Sequence, residues 1–332
     1  MHVKVGFNGG TISQWYPQRT TGDTPNKLTG KNLKMSEVLA KSLTGREMVI
    51  NAPIDFSKPY TGGIEWDVEI LPKSQADPAF TFKAEENYTW IYPRVPDANM
   101  LKVVDEYEDF LFYRGIGNFQ LPATFSVDSN ETLKVQNNSK QAIPFAFAFE
   151  NIGGKFRYKN LGRVEPNQAA LVAENEWITP KNPQVEVFQQ MRQGLVAQGL
   201  STDEANGMVK TWWKSYFNKP GLRVFWVVPQ YDLEQVLPLT LDPKPEKSVR
   251  VIVGRADVLR PKFEQAMVAS LGTKNFSQYS QDRFYLPYKN RLEQLIKEPV
   301  FTKFDKDNLS HVYLQVTAKK GDSAQGENLY LN

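Results

Sequence analysis

The spacing of apolar and polar positions changes period about halfway along the chain. In "GIEWDVEILP" (63–72), Ile64, Trp66, Val68 and Ile70 alternate with Glu65, Asp67 and Glu69. That is the period of a strand with one buried face. The opening "MHVKVGFNGG" reads as a strand over 2–7 and a turn, and "AFTFKAEENYTWIYPRVP" (79–96) as strand, turn and strand. Residues 21–43 are irregular apart from a short helical candidate over 36–42. Between 132 and 164 come hairpin signals, first at Asn137 and Asn138, then at Gly153 and Gly154. Phe145, Phe147 and Phe149 share one face there, and Ala146 and Ala148 the other. Short strands with turn signals every ~8–12 residues predict a β-sandwich.

After "NEWITPKNP" (175–183) the period becomes helical. A helix over 184–198 carries Phe188, Met191 and Leu195, and Gly199 stops it. Ser201 and Glu204 form a capping box for a helix over 202–218, with Ala205, Met208, Val209, Trp212 and Tyr216 on its apolar face. "LRVFWVVP" (222–229) and "SVRVIVGRADVL" (248–259) read as strands. Pro261 opens a helix to 271 that Gly272 closes, and a further helix is expected over 287–297. The expected fold is mostly β with an α+β second part. It comprises a β-sandwich-like domain over 1–176, a smaller mixed α+β domain over 177–300, and a C-terminal segment with a flexible tail over 301–332.

Composition narrows the chemistry. The 332 residues exceed one ordinary core. Aromatics make up 12%, enough to fill β-rich cores, or for some to line a ligand groove. Lys plus Arg is 40 against 37 acids, a net of +3, so no nucleic-acid partner is expected. The longest aliphatic-aromatic run is "VFWVV" (224–228), which predicts no transmembrane segment. The absence of cysteine excludes disulfides, thiolate zinc sites and Cys nucleophiles. The two histidines, His2 and His311, lie far apart in sequence, which argues against a His-based metal site or a Ser-His-Asp triad. No metal and no cofactor is expected. A strand at the very start, with no leader before it, predicts a trimmed or processed chain. With the missing cysteines this suits a bacterial periplasmic, envelope or secreted protein, and a cytoplasmic one also fits.

Five blocks occur in a fixed order: "QWYP" (14–17), "FLFYRGIGNF" (110–119), "MVKTWWKSYF" (208–217), "GLRVFWVVPQ" (221–230) and "LPLTLDPKPEKSVRVIVGRADVLRP" (237–261). Together they resemble a group of uncharacterised bacterial proteins, from about residue 3 to 262. The resemblance implies a bacterial origin. It brings no activity and no site residues.

The candidate site residues fall into three groups. First, Glu65, Asp67 and Glu69 form a row on one strand face, neighbours ~7 Å apart. Such a row can bind calcium, supply an acid/base pair, or simply be a solvated face. The acidic "DEYEDF" (105–110) has the same alternatives. Second, Gly115 and Gly117 lack the third glycine and the following helix of a dinucleotide fingerprint, so a tight turn or bulge is expected. This leaves Arg114, with Tyr113 beside it, as an anion-binding candidate or a buried anchor for a carboxylate. Alternation through Phe110, Phe112 and Arg114, with Leu111 and Tyr113 opposite, predicts a strand buried on both faces. Third, Trp213 lies about 100° around the helix from Trp212, as core packing or as a platform for a sugar. "DKDN" (305–308) lacks the Gly and Glu of a calcium loop, and no S-x-x-K or G-x-S-x-G occurs. The leading expectation is a non-catalytic binding or interaction protein for a protein or glycan ligand. The alternative is a carboxylate-dependent enzyme acting on glycans. That enzyme would need a cleft with two carboxylates ~5–9.5 Å apart beside exposed Trp.

Overall fold

A computed structural model describes residues 1–22, 61–72, 92, 94, 96–117, 119, 121–271, 273, 275 and 291. The fold is mostly β, with α+β character, as the periodicities predict. The expected helix over 36–42 lies outside the described residues, as do most of the strand pair expected over 79–96, most of the helix expected over 287–297, and the tail.

A four-stranded antiparallel sheet organises the second half of the fold. It is built from β10 (Ile143–Ile152), β11 (Lys155–Val164), β13 (Gly221–Val227) and β15 (Val253–Val258), in the order β11-β10-β13-β15. Large and small residues alternate on β10, and this decides what covers each face. Phe145, Phe147 and Phe149 cluster with Val187, Met191 and Leu195 of helix α1 (Pro183–Val196) and with Ala205 and Val209 of helix α2 (Thr202–Trp212). On the other face, Ala148 meets Leu133, Val135 and Val172 of a second sheet. That sheet consists of β8 (Ala123–Val127), β9 (Leu133–Asn137) and β12 (Ala169–Val172), in the order β12-β9-β8. The sandwich is therefore helices, sheet and sheet, with the bulky aromatics toward the helices and alanines where two sheets face each other. Gly153 and Gly154, with φ of 58° and 88°, close the β10–β11 hairpin. These are left-handed conformations that glycine adopts without strain.

The helix signals are met with one change. The Ser201 hydroxyl accepts from the Glu204 amide and the Glu204 carboxylate accepts from the Ser201 amide, the reciprocal capping box. Gly199, at φ 102°, ends the preceding segment. α2 stops at Trp212, however, and a π-helical turn spans Trp213–Phe217. The wider turn rotates Phe217 into the core, where it is fully buried. A short helix α3 (Gln230–Val236) follows β13, and helix α4 (Pro261–Ser270) starts at the expected proline.

The other large sheet is formed by β1 (His2–Asn8), β2 (Gly10–Tyr16), β3 (Thr61–Asp67), β7 (Phe112–Gly117) and β14 (Leu239–Asp242), in the order β14-β1-β3-β2-β7. Its core holds Val3, Val5, Ile12, Ile64 and Trp66. A small sheet of β4 (Glu69–Leu71), β5 (Met100–Val103) and β6 (Glu106–Glu108) adjoins it, in the order β4-β5-β6. Strand pairing crosses the division expected at 176/177. β10 pairs with β13 from Ala146↔Trp226 to Asn151↔Gly221, and β1 pairs with β14 from His2↔Asp242 to Val5↔Leu239. Among the described residues, no helix is long and apolar enough to cross a membrane.

Candidate functional site

The expected strand over 63–72 is broken at Val68. β3 ends at Asp67 in the five-stranded sheet, and β4 starts at Glu69 in the small one. The alternation shifts phase at the break, because β4 pairs with β5 (Leu71↔Met100) and turns Leu71 inward. Leu71 is 9% exposed and Ile70 is 46% exposed, so Ile70 does not share the buried face of Ile64, Trp66 and Val68. Where the two sheets part, an open cleft of about 840 Å³ lies over His2, Asp67, Glu69, Ile70, Lys102, Val104 and Asp242.

Two of the three candidate carboxylates reach this cleft; Glu65 and Glu69 have a lysine beside them, and Asp67 has His2. Asp67 sits directly across from His2, whose Nδ1 is 2.8 Å from Asp67 Oδ1. The Asp67 amide donates to Thr20 Oγ1 at 2.8 Å. Glu69 lies 3.9 Å from Lys102 Nζ, its cross-strand partner. Glu65 does not line the cleft. It faces Lys4 across the strands, with Oε1 2.8 Å from Lys4 Nζ, and its Oε2 accepts from Thr21 Oγ1 at 2.9 Å. These hydrogen bonds, Lys4 first and then Thr21, hold the Glu65 carboxyl below the usual carboxylate range. His2 Nε2 stands 3.6 Å from the same carboxylate, so the imidazole lies between Glu65 and Asp67. The acidic stretch over 105–110 is used differently. Glu108 is buried and takes a bidentate hydrogen bond from Arg94, and Glu106 accepts from the Gln18 amide.

Tyr113 and Arg114 do not converge. They are consecutive on β7, so their side chains leave opposite faces of the sheet. Tyr113 turns inward, its ring 6.5 Å from that of Trp66, and burial pushes its phenol up, against the charge of Arg250. Arg114 is half-buried, its guanidinium 5.6 Å from the Phe112 ring centroid. Among the described residues β7 is a sheet edge, and its residues from Phe112 to Gly115 are all half-buried, so the strand is not closed over on both faces as expected. Gly115 pairs with Ile12 beside a bulge whose extra residue lies on β2, between Ile12 and Gln14, while Gly117 pairs with Gly10 away from it. Trp213 packs on Phe217 at 5.2 Å in the helix-facing core and stands apart from the cleft.

Two features were not foreseen. Glu150, 3% exposed, is the hub of an ion cluster: Arg260 holds it through two hydrogen bonds (2.6 and 2.9 Å) and Arg157 through a third at 2.7 Å. Arg157 also bonds Glu174, Arg260 bonds Glu131, and both guanidinium groups lie over the Trp177 ring. Burial acts to raise the Glu174 pKa, but Arg157 and Arg260 outweigh it and hold Glu174 low. The second feature is a buried acid between two arginines on neighbouring strands. Arg223, 1% exposed, pairs with Asp257 at 3.0 Å, and Arg255 bonds both oxygens of the same carboxylate. The only signal in the sequence was charge inside apolar strands, at Glu150 in "FAFEN" and Arg223 in "GLRVFWV". Among the described residues, no group of three or more His, Cys, Asp or Glu is arranged to hold a metal ion. No family model, curated protein or solved structure matches the chain.

Proposed function

We propose that this is a non-catalytic binding or interaction protein of bacterial origin, exported or held in the envelope, which takes a protein or glycan ligand at the cleft between the two sheets. One observation carries the reading. The carboxylates that could do acid/base work are matched to cations or left in water. Glu65 is held in its ionised form by Lys4 and Thr21, and the side chains of Asp67 and Glu69 are 66% and 64% exposed. Glycoside hydrolysis needs a carboxylic acid kept protonated near neutral pH by a desolvating pocket. The alternative, a carboxylate-dependent enzyme acting on glycans, draws on Asp67 and Glu69 lining one cleft. Among the described residues, no tryptophan lines that cleft to supply a sugar platform. Reducing-sugar release from a panel of bacterial and plant polysaccharides tests the choice. A binding protein releases none. Release that disappears in the Asp67→Asn, Glu69→Gln variant would establish the enzyme.

A further inference from the structure

We infer that the cleft between the two sheets docks an extended peptide segment of a partner protein that carries Lys or Arg beside aliphatic residues. The inference rests on the binding reading above and specifies its ligand. Two properties of the cleft select this occupant.

The first is charge. Its side chains include three carboxylates, Asp67, Glu69 and Asp242, against one ammonium, Lys102. With His2 neutral the side chains sum to −2, on a chain whose overall charge is +3. The local sign thus opposes the sign of the whole molecule. A basic ligand is attracted here and not to the average surface. The Met1 amine, also at the cleft, donates to the Val68 carbonyl at 2.7 Å and adds one positive charge, which takes the cleft from −2 to −1, still opposite in sign to the whole chain.

The second is exposed aliphatic surface among those charges. Ile70 is 46% exposed and Val104 is 61% exposed. Val104 also has φ 55°. A β-branched residue rarely takes that left-handed conformation, and an Asn or Gly would hold the turn with less strain. Its side chain does little for the core, being mostly in water. Valine is therefore unfavourable for this turn and favourable only for something that lies on it. Apolar lips around a few charged groups suit a peptide with both aliphatic and basic side chains.

The test uses the full chain and three fluorescein-labelled nonapeptides: alternating Lys and Leu, alternating Lys and Ser, and alternating Glu and Leu. Fluorescence anisotropy is read at low and at physiological salt. The Lys-Leu peptide is expected to bind, the Lys-Ser peptide at least tenfold more weakly, and the Glu-Leu peptide not at all. Asp67→Asn with Asp242→Asn should weaken Lys-Leu binding at least tenfold, and Asp203→Asn on the exposed first turn of α2 should leave it unchanged. Val104→Asn should weaken binding while raising the melting temperature, a combination that a purely structural valine would not give. Equal affinity in all variants, or equal affinity for Lys-Leu and Lys-Ser peptides, overturns the inference. So does binding of a glycan that is lost in the same cleft variants, which would leave the broader binding reading standing. Polysaccharide cleavage would defeat that broader reading instead.

Discussion

The Arg260 guanidinium donates two hydrogen bonds to the Glu150 carboxylate, Nε to Oε1 at 2.6 Å and Nη2 to Oε2 at 2.9 Å. The two residues are 110 positions apart in sequence. Glu150 ends the aromatic run of β10, and Arg260 immediately precedes helix α4. Arg157 shares the same carboxylate, so one buried acid holds two guanidinium groups. Glu150→Gln would leave both without their common counter-charge. Removing one partner of a buried ion pair typically costs about 3–5 kcal/mol, and more than the pair itself is worth. Urea denaturation of Glu150→Gln should show a loss of that order. Arg163→Gln, at an exposed pair with Glu165, should change stability by less than about 1 kcal/mol.

Acid should weaken the fold through the same cluster and through the strand face beside the cleft. Glu174 and Glu65 are both held below the usual carboxylate range. In that window the unfolded chain binds more protons than the native one, so stability rises with pH. The contribution is complete above the unfolded carboxylate value of about 4.3 and is lost as pH falls through the lower native values. Urea midpoints measured from pH 7 down to pH 3 should therefore fall below about pH 4.3. In Glu174→Gln the fall should be shallower. An identical slope in the variant would remove Glu174 as a source.

Pairing across residue 177 gives a third prediction. β10 and β13 are paired in register over six successive positions, from Ala146 to Asn151, and β1 and β14 over four. Lys181 is exposed in the connection between them. Cutting there with limiting trypsin should give two pieces that elute together on size exclusion in native buffer and separate only in denaturant. Separation without denaturant would mean that the halves fold independently.

The fold was legible where one residue pattern had one reading. The Phe/Ala alternation of β10 named both faces of the central sheet, and Ser201 with Glu204 placed the start of α2 to the residue. The site was less legible, for physical reasons. The row Glu65, Asp67 and Glu69 implies a single face only if the strand stays in one sheet. The change of sheet at Val68 is imposed by pairing with Met100–Val103, roughly thirty residues away in sequence. Tyr113 and Arg114 looked like a pair because they are adjacent, yet adjacency on a strand is what separates them. The Glu150 cluster draws on Glu131, Arg157, Glu174 and Arg260, and no local period connects such distant positions. The π turn at Trp213 depends on how Phe217 meets Phe149 and Phe225, again a tertiary matter.

A close approach of helix to sheet sets two opposed effects against each other at Gly194. In the interior of α1, Ala in place of Gly ordinarily stabilises a helix by about 0.5–1 kcal/mol. Here a Cβ would stand 2.2 Å from Cζ and 2.3 Å from Cε2 of Phe145. Phe145 is 5% exposed and is flanked by Phe147, with ring centroids 6.4 Å apart, so it has little room to retreat. Overpacking a filled core typically costs about 1–3 kcal/mol, which exceeds the helix gain. Gly194→Ala should therefore lower the urea midpoint. Phe145→Leu alone should also destabilise, by leaving a void. The two together should cost less than the sum of the single changes, because the shorter side chain makes room for the added methyl. A strictly additive double variant would show that the ring does not set the closeness of α1 to the sheet.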